Sequence, residues 1–145
     1  MGDLSEHFST SEMECHHCGR CSISGALITA LEALRALGPE PIIVNDGYRC
    51  PEHNAAVGGV PDSEHVQGIA ADIRIQGLSL QEMYDRAVRV QDFAEGGIGV
   101  YDGNFIHVDV RQRLARWARV DGKYVSLSTL VHVSQPPDLD GEISV

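Results

Sequence analysis

In residues 63–72, SEHVQGIAAD, a histidine and an aspartate stand seven positions apart, His65 and Asp72, with small, apolar or amide residues between. A second imidazole follows at His107, in FIHVDV. Strand alternation tells which way these groups point. In AADIRI, Ala71, Ile73 and Ile75 share one face, and Ala70, Asp72 and Arg74 the other. In FIHVDV, Ile106, Val108 and Val110 share one face, and Phe105, His107 and Asp109 the other. If the two strands are neighbours, Asp72 and His107 project into one cleft, and His65 reaches it from the preceding loop. Two imidazoles and one carboxylate with an open fourth position form a catalytic zinc set, although the same donors suit other divalent metals. Gly68 and Ala70 read as room for the ion and for a close turn of the chain.

The elements that must position these groups are a mixture of helices and strands. Leu27, Leu31, Leu34 and Leu37 fall near helical spacing in SGALITALEALRALGPEP, which Gly38 and Pro39 terminate. Ser9-x-x-Glu12 and Ser79-x-x-Glu82 are capping boxes for two further helices, the second burying Leu80, Met83, Tyr84 and Ala87 and ending at Gly96-Gly97. PIIVNDGYRCP reads as a buried strand and a turn; GIGVY and FIHVDV are strands around a DGN hairpin turn. KYVSLSTLVHV reads as a late strand or hairpin, and RQRLARWAR as a solvated basic face. The expected fold class is therefore α+β, a largely antiparallel sheet with helices on one face. One domain over residues 1–135 and a flexible tail over 136–145 are expected.

Three segments, in order, resemble one family. Ser63-x-His65-x-x-Gly68-x-Ala70-x-Asp72 resembles the S-x-H-x-x-G-x-A-x-D motif of the zinc D-Ala-D-Ala carboxypeptidases. That family includes D-Ala-D-Ala dipeptidases and L-Ala–D-Glu endopeptidases of phage endolysins and shares its fold with the Hedgehog signalling domain. NDGYRCPEHN resembles its S-G-Y-R-x-x-x-x-N segment, with Asp46 where serine is usual. GGIGVYDGNFIHVDVR resembles the G-G-x-G-x-Y…F-x-H-x-D segment of its small phage and prophage branch. The resemblance implies a Hedgehog/DD-peptidase-like fold, with zinc on His65, Asp72 and His107. It implies that Arg49 binds a substrate carboxylate or the carbonyl oxygen, a task suited to a planar guanidinium fork. Ser63 would support substrate binding or orient a ligand. The implied partners are peptidoglycan stem peptides or D-amino-acid peptides.

The chain departs from the family at one point. Many members carry an acidic residue three positions before the last ligand histidine, where this chain has Asn104, and asparagine cannot take a proton. Asp102, in the hairpin turn, is the candidate base; Asp109 shares a face with His107 and could orient it. The alternative to a peptidase is a zinc-containing binding module of the same fold, impaired in catalysis.

CHHCGRC sets Cys15, Cys18 and Cys21 three positions apart, and Cys50 directly follows Arg49. Four cysteines could form two disulfides or one structural zinc site, with His16 or His17 able to replace a sulfur. A second ion here is an alternative to reduced thiols. The net charge of −10 argues against nucleic acid as partner. No stretch approaches the ~18 apolar residues of a membrane span. The N-terminal residues lack the basic and apolar regions of a secretory signal, so cytoplasmic synthesis is expected, with action at the cell wall only after release.

Overall fold

The computed structural model describes residues 2–58 and 63–133. Among these residues six strands, β1 (Ile42–Asp46), β2 (Ala70–Ile75), β3 (Gly97–Tyr101), β4 (Phe105–Asp109), β5 (Ala115–Val120) and β6 (Lys123–Val125), form one sheet in the order β1-β2-β4-β3-β5-β6. Every pairing is antiparallel except β3 with β5, which run parallel. The DGN turn between β3 and β4 closes with Asn104 in the left-handed region, φ 62°, a conformation asparagine tolerates. The fold is thus α+β with a mixed, mainly antiparallel sheet.

Among the described residues five α-helices accompany it: α1 (Thr10–Met13), α2 (Gly25–Arg35), α3 (Pro51–Ala56), α4 (Leu80–Ala87) and α5 (Gln91–Ala94). The expected capping box starts α4: Glu82 N–H donates to Ser79 Oγ, and Ser79 N–H to Glu82 Oε1. Alternation then divides the sheet. Ala71, Ile73 and Ile75 of β2, Ile98 and Val100 of β3, and Ile106 and Val108 of β4 join Leu27, Leu31 and Leu34 of α2, Met83 and Ala87 of α4 and Phe93 of α5 in one buried core. Leu80 is only partly buried at its edge. With one face committed to helices, a one-residue slip of β2 or β4 would expose these aliphatics, so burial fixes the register. The opposite face is where Asp72 and His107 stand.

Two expectations fail. RQRLARWAR is not a solvated face: it supplies β5, where Ala115, Trp117 and Ala118 are buried. Arg116 is absorbed locally, donating to the carbonyls of Gly96 and Ala94, while Arg113 before the strand stays exposed. The strand was hidden because its alternating partners are long cations whose aliphatic stems cover apolar surface. The helix expected to run on to Gly96-Gly97 ends instead at Ala87, and α5 follows as a separate turn. KYVSLSTLVHV does supply the expected late strand: β6 pairs antiparallel with β5 across the Asp121–Gly122 turn, and a 3-10 turn follows over Leu127–Thr129. The tail expected at 136–145 lies outside the described residues.

Candidate metal centre

Register places the cleft groups. Asp72 on β2 lies opposite His107 on β4, which lies opposite Gly99 on β3. His65 comes from the tight turns ahead of β2, where its N–H donates to Ser63 Oγ at 3.1 Å and its carbonyl accepts from Arg49 N–H. One donor atom from each of His65, Asp72 and His107 falls within 4.8 Å of the others. Gly68 serves the close turn, with φ +75°, and not the ion: a Cβ there would strike the Ser22 carbonyl, so the space it leaves belongs to a crossing chain.

The donor chemistry fits a divalent ion. His65 Nδ1–H donates to the Gly47 carbonyl at 2.8 Å, and His107 Nε2–H donates to Asp109 Oδ2 at 2.7 Å. These outer bonds fix each ring's tautomer and leave His65 Nε2 and His107 Nδ1 as the inward nitrogens. They converge on Asp72 Oδ1 at 3.2 and 3.0 Å. Two nitrogens and a carboxylate oxygen, with further coordination positions free, match the donor types of catalytic zinc.

Without metal, protons hold the cluster together. Burial would push His107 down, but hydrogen bonds to Asp109 and Asp72 prevail and raise it to about 9. Burial would likewise raise Asp72, but the charge of His65 and hydrogen bonds from both imidazoles hold it well below the usual carboxylate range. The raised His107 gives the metal-free protein stability that is complete below its ordinary value near 6.5 and lost as pH climbs through about 9. An ion on Nδ1 must displace that proton. Zinc affinity should therefore rise roughly tenfold per pH unit between about pH 6.5 and 8.5, measured by chelator competition. A flat profile would contradict a protonated His107.

Behind His107 lies a clamp. Asp109 is fully buried and also accepts from Gly97 N–H at 2.9 Å and from Arg111 Nη2 at 2.8 Å. Arg111 reaches on to Glu64 at 3.2 Å, which ties the clamp to the loop carrying His65. Trp117 packs on the His107 ring, centroids 5.0 Å apart, and donates its indole N–H to Tyr101 Oη. The glycines of GGIG make room for this. A Cβ on Gly97 would stand 2.3 Å from an Asp109 carboxylate oxygen, and one on Gly99 2.3 Å from Trp117 Nε1. Gly99→Ala should therefore cost about 1–3 kcal/mol of stability, read from the denaturant midpoint, because the indole must move off His107. The sequence offered a signal for the clamp in the HVD spacing and the glycine pattern, but none for Trp117 or for the Gly47 carbonyl.

The other candidates are placed differently. Arg49 lies between β1 and α3, its backbone bonded to His65, and its fork is occupied: Nη2 donates to Asp46 at 2.5 Å and Nη1 to Asn54 at 2.8 Å. Its Nε is buried and finds no partner among the described residues. Asp46 is thus the guanidinium's own counterion, which explains the acid at this position. Ser63 is buried and bonds the His65 backbone. Asp102 is not brought to the triad. It sits at the hairpin tip, its carboxylate accepting Asp121 N–H at 3.0 Å. It stands three positions along the chain from Gly99, about 10 Å of extended backbone. Asp102→Asn should accordingly lower turnover less than about tenfold, whereas loss of a working base costs ~10²–10⁴-fold.

Two imidazoles, one from a loop and one from β4, and a carboxylate from the neighbouring β2, each imidazole locked from behind, form a donor set of the metallohydrolase type. The comparisons agree. The Peptidase M15 family model matches residues 6–109, more than half of the 145-residue chain. The chain belongs to the peptidase M15 family. It is also similar to the zinc D-Ala-D-Ala carboxypeptidase of Streptomyces albus G, 45% identical over 53 residues, which cover 34% of this chain and 21% of that protein. The chain thus spans about a fifth of that relative's length. Among the described residues, no helix is long and apolar enough to cross a membrane.

Proposed function

We propose that the protein is a zinc peptidase that hydrolyses an amide bond at a D-amino acid in peptidoglycan stem peptides, as a carboxypeptidase or an endopeptidase. The observation that carries this reading is the convergence of His65 Nε2, Asp72 Oδ1 and His107 Nδ1 with both rings locked from behind. These three residues would hold the ion. When bound, zinc supplies Lewis acidity, polarising a scissile carbonyl and making water a better nucleophile near neutral pH.

The remaining work falls to the chain. Asp109 and the Gly47 carbonyl keep the imidazoles in the donating orientation, at no reorganisation cost when substrate arrives. Arg49 is proposed to take a substrate carboxylate or carbonyl oxygen, exchanging one contact of its fork for a charge-assisted bond of comparable strength. Ser63 is assigned to support of the His65 turn. Synthesis in the cytoplasm followed by action at the wall belongs to the same proposal.

A second reading keeps the ion and the fold as a binding module without turnover. Asp102, bound to the hairpin, and Asn104 favour it, since neither supplies a base at the triad. Digestion of purified muropeptides by the zinc-loaded protein, followed by mass spectrometry, decides. New fragments establish the peptidase and name the bond. Intact muropeptides, with zinc demonstrably bound, establish the module.

A further inference from the structure

Outside the triad, three sulfurs converge. Cys15, Cys18 and Cys50 place their Sγ atoms within 4.8 Å of one another, 35 residues of chain separating the first from the last. Local geometry brings them there. Residues 15–20 close on themselves, Gly19 N–H donating to the Cys15 carbonyl and Cys15 N–H to that of Arg20, with Gly19 at φ +74°. That turn sets both sulfurs of the C-x-x-C on one side. Cys50 is the residue capping α3, its sulfur accepting His53 N–H at 3.4 Å.

Donors surround the sulfurs. His17 N–H and Cys50 N–H both reach Cys15 Sγ at 3.4 Å, and Arg20 Nε reaches Cys18 Sγ at 3.3 Å. Amide and guanidinium donors favour thiolates over thiols, since a thiolate is much the better acceptor. Three thiolates this close would repel strongly unless a cation stood between them. Apolar packing does not account for the cluster either. Cys15 and Cys50 are buried with Tyr48 in a small group separate from the main core, whereas Cys21 packs on the main core itself. Cys18, moreover, is exposed. His17 offers an imidazole nitrogen, Nδ1 lying 3.7 Å from Cys50 Sγ, about one edge of a zinc tetrahedron. Its ring is steadied by stacking on His53.

We infer that Cys15, Cys18 and Cys50, with His17 as fourth donor, bind a structural zinc ion distinct from the one at the His65–Asp72–His107 centre. A set of three thiolates and an imidazole leaves no open position and selects a soft or borderline metal. Its role follows from what it ties. The strap over residues 47–50 begins with the Gly47 carbonyl that orients His65 and ends in Cys50, while Tyr48 N–H bonds the Met13 carbonyl and Arg49 N–H that of His65. The ion fastens this strap to the N-terminal arm, and so steadies His65 and Arg49 from outside the cleft.

The test is metal content after saturation with zinc and desalting, beside the cobalt(II) spectrum. Wild type should hold about two ions per chain, and His65→Ala and Cys18→Ser about one each. Sulfur-to-cobalt charge-transfer absorption should persist in His65→Ala and vanish in Cys18→Ser. A folded His65→Ala protein that holds no metal, or a cobalt protein without sulfur absorption, overturns the inference. Cys18 gives a reading that needs no variant. Exposed in the fold, it should be shielded from a thiol reagent in zinc-loaded wild type and released by chelator. Equal reactivity of Cys18 with and without zinc overturns the site, whatever the muropeptide assay shows.

Discussion

Asp72→Ala should strip the cleft of its ion and lower hydrolysis by more than about 10³-fold, beyond the ~10–100-fold typical of losing a residue that merely orients a ligand. The carboxylate is the negative member of the donor set, and its Oδ1 is where both imidazoles meet, 3.2 Å from His65 and 3.0 Å from His107. The fold should survive. The core-bearing side chains of β2 are Ala71, Ile73 and Ile75 on the opposite face, and Asp72 contributes nothing to that layer. Circular dichroism should match wild type while the zinc held at the triad is lost. A variant that keeps both metal and turnover would remove Asp72 from the site.

Asp109→Ala should be the most destabilising single change, at about 3–5 kcal/mol, because it deletes the acceptor at the centre of a buried charge network. His107 Nε2–H and Gly97 N–H lose their acceptor at once, and Arg111 is left with Glu64. Burial alone would raise the Asp109 carboxyl, but His107 and Arg111 hold it well below the usual carboxylate range. Its contribution is therefore present above about pH 4 and lost as pH falls through the lowered value. Asp109→Asn separates the two roles. The amide oxygen can still accept one bond, so the fold should largely persist, while His107 loses its charged partner and zinc affinity drops ~10–100-fold. Denaturant titration reads the first effect and chelator competition the second. Equal stability of Asp109→Ala and wild type would contradict the clamp.

Much of this site is legible from spacing because strands alternate. Once AADIRI and FIHVDV are strands, Asp72 and His107 must share a face, and their pairing needs only adjacency. The helices were legible through Ser79 and Glu82, or through the leucines of α2, since caps and periodicity are local properties. What spacing could not reveal is long-range or made by backbone. The Gly47 carbonyl that orients His65 carries no side-chain signal. β5 was hidden in an arginine-rich run, so Trp117 could not be placed beside His107. Asp102 looked available as a base because a turn residue five positions before His107 can point either way. The contact that turns it to Asp121 comes from β5 and β6, whose pairing the local sequence does not announce.

Under the proposed function, a metal on His65, Asp72 and His107 is what makes this chain a hydrolase. This is tested most directly by hydrolysis of purified muropeptides, followed by mass spectrometry before chelation, after chelation and on zinc readdition. Cleavage should stop with chelator, return with zinc in wild type, and stay absent in Asp72→Ala. Cleavage that continues undiminished in fully chelated protein would contradict it.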